Sequence, residues 1–147
     1  MLFHRLEKTV RQSDRIQVRC QTQVMKLIQS QDGTVVGVEG RSIPPGSILL
    51  RPFHGSLTGI NAKLNTYMPP LASLLNMLAS AVMKLRSRPY RARARKGVIL
   101  AAGGFIFNKK RVKEYNSAFC QCLPLGTFAD DGSGIALGEA VGGATSH

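Results

Sequence analysis

The 147-residue chain lacks tryptophan and has few acids: eight Asp and Glu stand against twenty Lys and Arg, a formal net charge of +12. Such an excess of cations raises phosphate-bearing ligands, anionic membranes and nucleic acid as partners. No apolar run is long and pure enough to span a bilayer, which takes about 20 predominantly apolar residues. The longest, Leu71 to Leu85, is preceded by Asn65, Thr66 and the Pro69-Pro70 break. Cysteine is limited to Cys20, Cys120 and Cys122. The one-residue gap of Cys120-Gln-Cys122 is too short for a zinc knuckle, and no nearby histidine completes a site. These thiols read as incidental, in a reduced, cytoplasmic protein. Arg5, Glu7 and Lys8 near the start, with no apolar core segment, exclude a secretory signal. His4, His54 and His147 are scattered without partner carboxylates, so no Ser-His-Asp or metal arrangement emerges and the catalytic residues stay unassigned. Tyr67, Tyr90 and Tyr115 are the remaining proton donors, and nothing in the sequence places one at a site.

What is present is a globular composition: 44% hydrophobic residues and a mean hydropathy near zero, in a length typical of one domain. Residues 2–12 place Leu2, Phe3, Leu6 and Val10 on one helical face. Ser13-Asp14 breaks that pattern, and alternation from Arg15 to Cys20 predicts a half-buried strand. Val24 to Ile28 and Val35 to Val38 flank an Asp32-Gly33 turn and predict a hairpin. From Ile43 to Pro89 prolines and glycines predict an irregular insertion, followed by the apolar Leu71–Leu85 helix. That helix either packs into a core or lies on a membrane surface, helped by the cations after it. Lys84, Arg86, Arg88, Arg91, Arg93, Arg95 and Lys96 put seven positive charges into thirteen residues. The plain reading is a solvated edge strand. Nucleic acid is disfavoured, because the run holds one aromatic, Tyr90, and no groove-reading or base-stacking motif.

The centre of the chain is RARARKGVILAAGGFIFN, residues 91–108. Gly97 to Ala102 predicts a strand with no polar face, buried on both sides, ending at Gly103-Gly104. A helix capped by Asn108 follows. Glycines at the end of such a strand let a ligand approach the backbone without a Cβ in the way. Some thirty residues on, DDGSGIALGEAVGGAT (130–145) repeats the theme, a glycine turn opening a small-residue helix. The N–H groups at a helix start carry partial positive charge and can donate to an electron-rich ligand atom.

In this order the two motifs resemble FAD-binding flavoproteins of the fumarate reductase/succinate dehydrogenase and 3-ketosteroid dehydrogenase type. The resemblance covers residues 1–42 and 91–147. It implies an α/β fold, part of a Rossmann-like FAD-binding domain with a three-layer mixed sheet and flanking helices, incomplete at both ends. It implies FAD as cofactor, with the strand end Ala101, Ala102, Gly103 and Gly104 against it. Asp131, Gly132, Ser133 and Gly134 form the loop at its flavin end. Ser133 stands where the family has an aspartate, so a charge-based role does not carry over. Thr22-Gln23-Val24 matches a step whose last residue meets the adenine ring through its backbone, which assigns Val24 to the cofactor site. The family's Gly-x-Gly-x-x-Gly grip on the pyrophosphate is missing. The chain therefore reads as one partial domain, 1–147, with an insertion and apolar helix at about 43–90. The expected reaction is flavin-mediated oxidation or reduction of a carbon–carbon bond next to a carbonyl, on a lipophilic steroid-like substrate or a dicarboxylate. The expected partners are that substrate, the remainder of the flavoprotein and a peripheral membrane contact. A non-catalytic basic binding protein and an inactive remnant are the alternatives.

Overall fold

A computed structural model describes residues 2–124 and 127–145. Its elements run α1 (Leu2–Gln12), β1 (Thr22–Gln29), β2 (Val35–Ser42), α2 (Leu50–Tyr67), α3 (Pro69–Arg86), β3 (Arg88–Arg93), α4 (Lys109–Tyr115), a short 3-10 turn (Ser117–Gln121) and α5 (Ser133–Glu139). The fold is α/β, in keeping with part of an FAD-binding domain.

The hairpin forms as its pattern predicts. Asp32 accepts from the Thr34 amide at 3.2 Å and from the Thr34 hydroxyl at 2.9 Å, and Gly33 takes φ +84°. A hydrogen bond from the Ser30 hydroxyl, with these two from Thr34, holds the Asp32 carboxyl below its ordinary pKa. β2 is the middle strand of an antiparallel sheet ordered β1-β2-β3. Gly40 lies opposite Val24, where a Cβ would run into the Gln23 carbonyl oxygen, so only glycine allows the two strands to close there. Among the described residues the sheet is wholly antiparallel, so the parallel pairing of the expected mixed sheet is not seen.

Three local expectations are corrected. Residues 50–67, read as irregular, form a five-turn helix. Pro52 sits in its first turn, where the missing N–H costs nothing, and packing against α3 outweighs Gly55 and Gly59. Arg15 to Cys20 forms no strand, and Ile16 and Val18 are exposed. Gly97 to Ala102 is neither paired nor buried: Ile99 is 93% exposed. Ala94 still donates to Val36 at 2.8 Å, but beyond it the chain leaves β2. A strand covered on both faces needs neighbours at both edges, and no described segment supplies one.

α1 forms as expected, yet Phe3 and Leu6 on its apolar face remain exposed. Among the described residues the buried apolar side chains are Leu27 on β1, Ile43 just after β2, Ala72 and Ala79 on α3, and Val112 on α4.

Candidate functional site

The two glycine motifs meet. The Gly132 amide donates to the Gly104 carbonyl at 3.0 Å, and the Phe107 amide to the Asp130 carbonyl at 3.0 Å. Gly103 and Gly132 both take φ +80°, a conformation other residues adopt only with strain. A Cβ on Gly134 would lie 2.6 Å from the Ala102 Cβ. One on Gly103 would strike the Asp130 carboxylate. Small residues at both motifs therefore let two backbones touch. Gly104 differs, because a Cβ there would meet nothing within 4 Å. Ala101, Ala102, Gly103 and Gly104 all present to solvent.

Asn108 fastens this contact from the side. Its Oδ1 caps α4 by accepting from the Arg111 amide at 3.1 Å, and its Nδ2 donates to the Asp131 carbonyl at 3.0 Å. Arg111 then reaches Glu139 on α5 through both terminal nitrogens, at 3.1 and 2.6 Å. The pair holds the Arg111 guanidinium above, and the Glu139 carboxyl below, their ordinary pKa values, chiefly through that hydrogen bonding. At the start of α5 the Ser133 amide is already taken by Asp131 Oδ1 at 2.8 Å, so Asp131 acts first as a turn cap. A cleft of about 210 Å³ beside the junction is lined by Leu100, Ala102, Gly103, Gly134 and Gly138.

Val24 lies apart from that junction, half-buried in β1 next to a bulge between Val24 and Lys26. β1 is an edge strand, so part of its backbone faces away from β2. A cavity of about 500 Å³ relates the two places, since both its neighbours Thr22 and Gln23 and the loop residue Asp131 line it. Gln21, His54, Thr58 and Asn61, none of them assigned to a site from the sequence, line it too, together with residues of α3 and the 127–129 segment. Three buried polar atoms on its walls have no hydrogen-bond partner, namely Gln21 Oε1, His54 Nδ1 and Asn61 Oδ1. Burial holds His54 below the ordinary histidine pKa, hence neutral. Gln21 takes φ +55°, and its Nε2 donates to the Arg51 carbonyl at 2.6 Å, which fixes β1 to the start of α2. His54, Thr58 and Asn61 fall at i, i+4 and i+7, so one face of α2 was marked as polar in the sequence.

A family model described as an FAD binding domain matches residues 1–147. The chain belongs to this family. FAD is accordingly its cofactor, and the domain is that of an FAD-dependent oxidoreductase. No significant match was found among curated proteins or solved structures. The residues present fit part of FAD. Unpartnered polar atoms of Gln21, His54 and Asn61 suit a group rich in hydroxyls and amides, and the open side of Gly104 admits a flat one. The diphosphate is different, because no Gly-x-Gly-x-x-Gly occurs in the sequence. Among the described residues there is also no cluster of three or more His, Cys, Asp or Glu able to hold a metal ion.

Proposed function

We propose that this chain supplies the flavin-facing wall of an FAD-dependent oxidoreductase that adds or removes hydrogens across a carbon–carbon bond next to a carbonyl. The contact between residues 101–104 and 130–134 carries this reading, since three glycines there, Gly103, Gly132 and Gly134, serve close approach rather than a turn alone. FAD supplies the redox chemistry when bound, and the protein supplies placement and electrostatics. Ala101, Ala102, Gly103 and Gly104 would lie along the cofactor, with Gly132, Ser133 and Gly134 at its flavin end and Asp131 holding their turn. Val24 would meet the adenine through its backbone. Because the Gly132 and Ser133 amides are engaged within the protein, we assign that loop a shape role more than an anion-binding one. The pyrophosphate grip would come from polypeptide outside these 147 residues.

A lipophilic, steroid-like substrate is favoured over a dicarboxylate. The supporting observation is a cavity of about 630 Å³ that shares Asp131 with the site and is walled by Phe107, Val112, Phe119, Leu123 and Phe128. Phe107 and Phe128 pack with ring centroids 4.8 Å apart. A dicarboxylate would need paired cations there, and Lys109 alone lines that wall.

The visible spectrum of the purified chain, alone and with added FAD, tests the reading. A flavin band that co-elutes with the protein supports it. No band, with no gain in thermal stability on adding FAD, overturns it for this chain. Where a band is found, anaerobic bleaching by a 3-ketosteroid supports the lipophilic substrate. Reoxidation of the reduced flavin by fumarate, without such bleaching, overturns that part alone.

A further inference from the structure

All eight acids lie outside residues 40–113, a stretch that carries fourteen Lys and Arg. The middle of the chain is therefore uniformly cationic, whatever the protein as a whole carries. The same stretch contains α2, α3 and β3.

Two hydrogen bonds bring its ends together. Gln21, beside β1, donates to the Arg51 carbonyl in the first turn of α2 at 2.6 Å. Arg41, on β2, donates to the Lys84 carbonyl in the last turn of α3 at 3.1 Å. Gln21 and Arg41 sit at the same end of the β1–β2 pair, since Arg41 lies opposite Gln23 and the Ile43 amide donates to the Gln21 carbonyl at 3.1 Å. The start of α2 and the end of α3 thus share one corner. That corner exposes three large apolar side chains almost fully: Ile48 at 86%, Leu49 at 82% and Leu85 at 80%. Lys84, Arg86 and Arg88 flank Leu85, and Arg91, Arg93, Arg95 and Lys96 continue along β3 and past it, all exposed, Arg91 being paired with Glu39 at 2.8 Å.

We propose that this corner docks on an anionic lipid bilayer, with Ile48, Leu49 and Leu85 entering the headgroup boundary and the cations of α3 and β3 lying over acidic headgroups. Apolar tips ringed by cations match such a surface on both counts. No described helix is long and apolar enough to cross a membrane, so the contact is peripheral. RNA shares the charge but lacks the match to the apolar tips. The run's one aromatic, Tyr90, is half-buried with the Arg19 guanidinium 5.2 Å from its ring centroid, which leaves no open stacking platform. The inference does not depend on FAD being bound.

The test is co-sedimentation of the full chain with vesicles of neutral phosphatidylcholine, with and without added phosphatidylserine. It is run beside binding to a single-stranded RNA oligonucleotide. The expected result is retention at least about tenfold stronger on the phosphatidylserine vesicles, collapsing near 0.5 M salt, roughly where the screening length falls below 5 Å. The variant Ile48→Ser/Leu49→Ser/Leu85→Ser is expected to lose about tenfold of vesicle binding while keeping its RNA binding. Arg88→Gln/Arg93→Gln/Arg95→Gln is expected to erase the preference for anionic vesicles. Three results overturn the proposal: equal binding to neutral vesicles, no vesicle binding, or vesicle binding that the apolar triple variant leaves intact. The last, with RNA bound as tightly, makes the patch a nucleic-acid surface.

Discussion

The region of the two glycine motifs and the α2–α3 hairpin solve opposite problems. Between residues 100 and 139 polar chemistry is settled inside the protein: Asn108 caps α4 and holds Asp131, and Arg111 pairs with Glu139. Between residues 43 and 96 it points outward. Apart from Arg91, which pairs with Glu39 of β2, the segment's cations meet no acid among the described ion pairs, large apolar side chains face solvent, and buried polar atoms on His54 and Asn61 lack partners. A region that satisfies itself is a scaffold. One that leaves both polar and apolar groups unsatisfied is arranged for contact with something else.

The sharpest way to break the comparison is at the glycine contact. Gly134→Val should separate the motifs, because its Cβ falls 2.6 Å from a side-chain carbon that cannot swing away. A loss of about 1–3 kcal/mol is expected in urea unfolding, together with loss of FAD retention. Unchanged stability would show that the contact is not part of the scaffold. A smaller effect is expected from Asn108→Ala, which removes one helix cap and one bond to Asp131. About 1 kcal/mol should be lost in the same measurement, with Asn108→Asp restoring the cap but not the donor to Asp131.

The smallest effect belongs to the outward-facing region and appears as a pH dependence. His54 is held neutral by burial, so the unfolded chain binds its proton more readily than the folded one. Its neutral form contributes full stability above the ordinary histidine pKa of about 6.5, and stability should fall as pH drops below that. Unfolding midpoints across this window should flatten in His54→Gln. A slope that survives the substitution would assign it elsewhere.

Much of this was legible in the sequence where the signals were local. The Asp32-Gly33 hairpin, the Asn108 cap and α4 rest on turn and capping chemistry that acts within a few residues. α2 was hidden because Pro52, Gly55 and Gly59 resemble breakers, while their tolerance depends on α3, which propensity does not see. Gly97 to Ala102 failed for the converse reason: its pattern specifies a buried strand, but strand formation requires edges that the described chain does not provide. At the site, 101–104 and 130–134 were both picked out through the family resemblance, but their direct contact with each other was not foreseen. Nor was the cavity walled by Gln21, His54 and Asn61, because a lone histidine becomes informative only when its helical face is known.

β3 closes one side of the sheet with a row of unused backbone groups, the usual invitation to edge-to-edge pairing. Here that edge carries Pro89, which has no N–H to give, and guanidinium groups at Arg88, Arg91 and Arg93. Two copies approaching through it would bring together six arginines, of which only Arg91 of each copy is paired with an acid, Glu39. Mutual repulsion therefore opposes pairing through that edge, and added salt, which weakens the repulsion, should favour it.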